Sequence, residues 1–164
     1  MLLVLMVLAI NGYKPTNYKQ GMVEIRRYID IASGLRATTY GWGKGDKHCG
    51  DIGKPVECRK GLYTASGEIF DPQMPQMALA APTRLRMVAT VLPVRLEEGK
   101  CRFLRLVDKM NPRYISVRGF DLTPASVKLL GGHATKYWSG NVTVCYNLLN
   151  KQLTKIEVIK WNLK

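Results

Sequence analysis

Between Leu35 and Leu149 the apolar residues fall in short strand-like runs, separated by glycine, proline and polar turn residues. LRATTYGW, TRLRMVATVLPVRL, CRFLRLVD, RYISVRGFDL and GNVTVCYNLL all have strand composition, and Glu97, Glu98, Gly99 and Lys100 form a polar turn between two of them. One segment differs. In TPASVKLLGG, Thr123 suits a helix cap, Pro124 suits the first helical position and the glycine pair suits the stop. Several short strands, one short helix and closely spaced turns imply a small closed or partly closed β-barrel, with a sandwich as the alternative.

The chain divides into an N-terminal extension over 1–33, a barrel domain over 34–150, and a basic tail or extra strand over 151–164. Its first ten residues, MLLVLMVLAI, are too few for an ordinary membrane span and resemble the apolar part of a secretory signal, with Ala9 and Gly12 near the end. No Lys or Arg precedes the run, and no cysteine follows it closely enough for a lipid anchor. The expected location is therefore extracytoplasmic (secreted or periplasmic), or an extracellular phage particle in which the extension is kept and meets other virion or envelope proteins.

Lys and Arg number 25 against 12 Asp and Glu, a net charge of +13. Such a field concentrates polyanions near the surface. There is no zinc finger, basic heptad helix or RNA-recognition signature, so nucleic acid is not the expected partner. Four cysteines, Cys49, Cys58, Cys101 and Cys145, allow three pairings. Cys49 and Cys58 flank a short Gly- and Pro-containing loop and suit a local bridge, in which case Cys101 and Cys145, both in strand-like runs, could join across a sheet. Free buried cysteines are the alternative. His48 adjoins Cys49 but lacks a CxxC pair or a second spaced histidine, so no metal and no cofactor are expected.

Three carboxylates stand out: Glu68 in a polar turn, Asp108 at the end of a strand and Asp121 before the helix cap. Cleavage of a glycosidic bond needs a group that protonates the leaving oxygen and one that takes a proton or stabilises positive charge. Each carboxylate also has a structural reading, Asp108 in a turn and Asp121 at a helix start.

LRATTYG (Leu35–Gly41), TASGEIFD (Thr64–Asp71), RFLRLVDKMNP (Arg102–Pro112) and GFDLTPASVKLLGG (Gly119–Gly132) occur in this order, and together they resemble the rare lipoprotein A family of double-psi β-barrels, relatives of barwin and expansin. The resemblance spans roughly residues 35–149 and implies a mainly β, six-stranded double-psi barrel with one or two short helices. It also implies a peptidoglycan lytic transglycosylase that cuts between N-acetylmuramic acid and N-acetylglucosamine and leaves a 1,6-anhydro end. Matched by motif, Glu68 is the first choice as general acid and then base, Asp108 positions substrate or stabilises charge, and Asp121 is the carboxylate used in expansin-like barrels. Ser66, Arg105 and Lys109 join Tyr40, Trp42 and Tyr63 as substrate-binding candidates, the aromatic rings stacking on sugars. The alternatives are a non-catalytic expansin-like wall-binding module and a structural assembly protein. The chain departs from the family pattern at two points: Pro82 stands where a histidine is usual, and the aspartate turn DKMNP is one residue longer. Proline can neither shuttle a proton nor donate a hydrogen bond.

Overall fold

A computed structural model describes residues 15–40, 63–135 and 137–152. Helix α1 (Pro15–Ala32) leads into strand β1 (Arg36–Thr39), and β2 (Gln76–Ala80), β3 (Thr90–Leu96) and β4 (Arg102–Met110) follow. A 3-10 turn (Pro112–Tyr114), β5 (Phe120–Leu122), helix α2 (Pro124–Leu129) and β6 (Ser139–Val144) come next, and residues 146–152 are again helical. The protein is mainly β. The six strands of the described residues lie in the order β1-β5-β2-β4-β3-β6, and β6 returns to pair with β1, which closes the sheet. The pairs β1–β5 and β2–β4 are parallel, and the other four are antiparallel. Among the described residues, closure pairs both edges of each of these strands, so none of them leaves a row of backbone donors as an open edge.

The core follows from the two-residue period of the strands. Met77 and Leu79 of β2, Leu92 and Val94 of β3, Leu104 and Leu106 of β4, and Phe120 and Leu122 of β5 all turn inward. Helix α1 joins them. Met22, Ile25, Ile29 and Ala32 recur at helical spacing and enter the same hydrophobic cluster, so part of the expected extension shares the barrel's core. Its carbonyl end comes close to the chain before β5. A Cβ on Gly119 would lie 2.3 Å from the Ala32 carbonyl oxygen, a contact only glycine escapes.

Helix α2 forms where its caps place it. The Thr123 side chain accepts from the Ser126 amide, Pro124 opens the helix, and Gly131, at a φ of 87°, takes the left-handed conformation that ends it. RYISVRGFDL departs from its strand reading. The chain turns through the 3-10 segment and Ser116, at a φ of 67°, and pairs again only at Phe120–Leu122.

Cys101 and Cys145 form a disulfide, which links the start of β4 to the end of β6 across the intervening β3. The expected Cys49–Cys58 bridge, the apolar run 1–10, Trp42 and the tail from residue 153 lie outside the described residues. Among the described residues, no helix is long and apolar enough to cross a membrane.

Tyr146 ties the C-terminal helical segment to α1. Its hydroxyl donates to Asp30 Oδ1 at 2.9 Å, the same oxygen that accepts from Arg26 Nε at 2.9 Å. Burial, and then the bond to Asp30, raise the Tyr146 phenol above its ordinary value of 10.0. The unfolded chain therefore ionises first, so this stabilisation is complete below pH 10 and is lost as pH rises through the folded value. Tyr146→Phe is expected to cost about 1 kcal/mol at neutral pH. In urea titrations, the gap between wild type and variant should narrow above pH 10. A gap that stays constant there would show that the hydroxyl does not carry the effect.

Candidate functional site

Thr64–Asp71 adds no strand to the barrel; it lies over the outer face of β2 and β4. The segment folds on itself first. The Thr64 amide donates to the Glu68 carbonyl at 2.7 Å and the Gly67 amide to the Thr64 carbonyl at 2.9 Å, with Gly67 at a φ of 85°. Tyr63 and Ile69 form a single bridge across the base of this turn. Its tip then docks on β4: the Ser66 amide donates to the Val107 carbonyl, and the Ala65 amide to Asp108 Oδ1, both at 2.9 Å. Gln76 holds the other half. Its Oε1 accepts from the Asp71 amide at 2.9 Å and its Nε2 donates to the Ile69 carbonyl at 3.0 Å. Phe70 is buried there against Tyr40, with ring centroids 5.0 Å apart.

A β-bulge decides which side chains share this face. Register between β2 and β4 runs Gln76 with Arg105 and Met77 with Leu106, then skips to Ala78 with Asp108. Val107 is the extra residue. Arg105 and Asp108 are three apart and would face opposite ways in a regular strand, but the bulge puts both on the outer face. Ala78 also pairs with Asp121, and Asp121 with Thr38. Thr38, Asp121, Ala78 and Asp108 therefore form one row across β1, β5, β2 and β4. With strands about 4.8 Å apart, the two aspartates stand about 10 Å apart across the small Ala78 side chain.

Glu68 reaches this face from above. Its carboxylate pairs with Arg105, whose Nε donates to Oε2 at 2.5 Å and whose Nη2 meets Oε1. Asp108 is buried, and its Oδ1 accepts from both the Ala65 and Lys109 amides at 2.9 Å. Asp121 accepts from the Thr38 hydroxyl on Oδ1, and Arg118 Nη2 lies 3.5 Å from its Oδ2. The three nominated carboxylates thus share one face of the barrel, each with a different set of partners.

The binding candidates divide. Ser66 lies in the docked turn, with its hydroxyl 3.1 Å from that of Thr64. Arg105 holds Glu68, and Tyr63 projects beside them, 72% exposed. Tyr40 supports Phe70 from below. Lys109 goes elsewhere: it pairs with the inward-facing Leu79, and its Nζ donates to the carbonyls of Thr83 and Leu85 at 2.7 and 2.8 Å. It braces the turn that begins at Pro82, because its register is inward and two carbonyls meet its ammonium there. Sequence reasoning counted Arg118 only among the basic residues of the stretch from Arg84 to Arg118, and passed over Thr38, Ala78 and the exposed Phe103, which precedes Arg105 by two on β4. Thr38 lies in LRATTYG and Phe103 in RFLRLVDKMNP, but neither motif marks which of its residues face outward.

The two roles open to Asp108 are separable. Asp108→Ala leaves the Ala65 amide without its acceptor and is expected to cost about 2 kcal/mol. Asp108→Asn keeps an oxygen for that amide and should cost less than half as much. Chemical denaturation of both variants, read with protection of the Ala65 amide from hydrogen exchange, checks this. Equal losses in the two would rule out the acceptor role.

The chain matches no protein-family model and no curated protein.

Proposed function

We propose that this protein is a double-psi β-barrel of the rare lipoprotein A type that cleaves peptidoglycan glycan strands as a lytic transglycosylase. The single observation that carries this reading is the row Thr38, Asp121, Ala78, Asp108, with the Glu68–Arg105 pair docked beside it. A closed six-stranded sheet with parallel β1–β5 and β2–β4 pairs fits the double-psi topology. The exposed rings of Tyr63 and Phe103, near the Glu68–Arg105 pair, suit stacking on sugars. The positive charge suits the acidic wall polymer around them. An extracytoplasmic or phage-particle location goes with this substrate.

The reaction needs only one proton-transferring carboxyl group. It protonates the leaving O4 as the C1–O4 bond breaks. The C6 hydroxyl of the same sugar then bonds to C1, and its proton returns to the carboxylate, so no water is consumed. Asp121 is the group best placed for this. Both oxygens of Glu68 face the Arg105 guanidinium, and Asp108 Oδ1 holds two backbone amides. Asp121, partnered by the Thr38 hydroxyl and approached by Arg118, stands inside the row between Thr38 and Ala78. Glu68 with Arg105 then positions the glycan, and Asp108 holds the turn that carries Glu68.

Pro82 and the Glu68–Arg105 pair favour the second reading, a barrel that binds wall glycan without cutting it. Digestion of purified peptidoglycan with mass analysis separates the two. Anhydro-ended muropeptides support cleavage. Binding with no new chain ends sinks it in favour of the binding module.

A further inference from the structure

Among the cations on the described outer face, Arg118 has the least usual set of partners. Arg105 is paired two-pronged with Glu68, Arg36 donates to the Ser139 hydroxyl at 3.1 Å, and Arg113 donates to the Tyr114 hydroxyl at 2.6 Å. Arg118 is held in place by stacking, its guanidinium carbon 3.9 Å from the centroid of the Tyr114 ring. Arg113 lies over the same ring at 4.7 Å. Among the described residues, the ion contact of Arg118 is the 3.5 Å approach to Asp121 Oδ2, too long for a strong hydrogen bond. Its Nε is buried and meets no acceptor among the described residues.

A guanidinium carries five donors in a rigid fork, and a buried donor left unmade is costly. Stacking on Tyr114 fixes the plane of that fork, so a carboxylate arriving beside Asp121 meets donors already oriented. The local charges suit one negative charge better than two. Arg118 approaches Asp121, and Asp108 stands in the same row, so a phosphate dianion meets more repulsion than a carboxylate.

We propose that Arg118 is the specificity-determining residue of this site, and that it binds a carboxylate carried by the glycan next to the linkage at Asp121. This rests on the glycan-cleaving reading above and deepens it. The carboxylate has two sources, the lactyl ether of the muramoyl sugar and the stem peptide attached to it.

Binding by the full chain to four probes tests this: neutral chitooligosaccharide, peptide-free muramoyl glycan, the same glycan with its carboxylates amidated, and peptide-bearing glycan. Wild type is expected to bind peptide-free muramoyl glycan roughly tenfold or more tighter than either chitooligosaccharide or the amidated form. The stem peptide is joined to the lactyl carboxyl as an amide, so the peptide-bearing strand carries only peptide carboxylates. Weaker affinity for it places the bound carboxylate on the lactyl group, and equal affinity means that a peptide carboxylate also reaches Arg118. Arg118→Gln should abolish the preference by weakening only the acidic probes, and Arg118→Lys should restore part of it. If Arg118→Gln does not fold, wild type on the amidated glycan still decides. A preference that survives in folded Arg118→Gln, or that amidation does not touch, overturns the role of Arg118 and leaves the glycan reading standing. Failure of wild type to bind any of the four overturns both.

Discussion

Asp121→Asn is expected to lower the release of anhydro-ended fragments by about 10³-fold, within the range that general acid–base catalysis supplies. The substitution keeps an oxygen to accept from the Thr38 hydroxyl, and Asp121 lies at the centre of a strand row set by backbone pairing with Thr38 and Ala78. The barrel should therefore fold as before, with a melting temperature close to wild type. An amide cannot supply a proton to the leaving oxygen or take one from the C6 hydroxyl, so the loss should fall on kcat and leave KM nearly unchanged. Glu68→Gln is expected to behave differently. It breaks the pair with Arg105, which the proposed scheme uses for positioning, so KM should rise and kcat fall by about tenfold. Rates on peptidoglycan for the two variants rank the carboxylates directly. A wild-type rate in Asp121→Asn with complete loss in Glu68→Gln would transfer the acid role to Glu68.

Much of the barrel is visible before folding because its signals are local. CRFLRLVD alternates well enough to announce β4, Thr123 and Pro124 announce α2, and Gly99 marks the turn before β4, where its amide donates to the Leu96 carbonyl at 2.9 Å. Where the reading goes astray, tertiary contacts have removed or replaced a local signal. Strand β2 is buried along its whole length, because the core takes Met77 and Leu79 while the Thr64–Asp71 segment covers the other face. Burial on both faces erases the two-residue alternation that reveals a strand. The β-branched Ile115 and Val117 advertise a strand that the turn at Ser116 prevents, and Val117 stays 68% exposed. Helix α1 did carry a signal, the helical spacing of Met22, Ile25, Ile29 and Ala32, which the interspersed charges of EIRRYID partly hide.

The site was legible in its residue types and illegible in its arrangement. TASGE, an aspartate ending a strand and an aspartate before a helix nominate three carboxylates. Nothing in their spacing says that they share a face. That depends on the extra residue at Val107, which exists only relative to β2. Without the bulge Asp108 would turn inward with Leu106 and could not accept from the Ala65 amide. The same pairing logic explains Lys109. One position past Asp108, it faces the opposite way, and its charge goes to two carbonyls at the barrel's end.

Removing the Cys101–Cys145 disulfide should be the largest single loss of stability. The bridge closes a sequence separation of 44 residues, containing β4, β5, α2 and β6. On the chain-entropy account, a loop of that size stabilises the folded state by about 4 kcal/mol, because the open chain regains its freedom when unfolded. For a domain of this size that corresponds to a fall in melting temperature of about 10 °C or more. The native fold has a reason to tolerate the change. β3 lies between the two bridged ends and pairs with both neighbours, and the Cys145 amide still donates to the Pro93 carbonyl at 2.8 Å. The double substitution Cys101→Ser with Cys145→Ser should therefore fold to the same barrel with a lower unfolding midpoint. Calorimetry of the variant against oxidised wild type measures the loss. A midpoint within about 2 °C of wild type would mean that the β4–β3–β6 pairing already holds the unfolded chain's ends together. The site gives the second readout. Cys101 opens into β4 only four residues before Arg105, so if the bridge also tuned the site, the variant would lose glycan binding well below its melting point. The expected result is the reverse. Binding at low temperature should match wild type, because the Glu68–Arg105 pair and the Ala65–Asp108 bond are set by β2 and the turn above it, on the side of β4 away from the bridge.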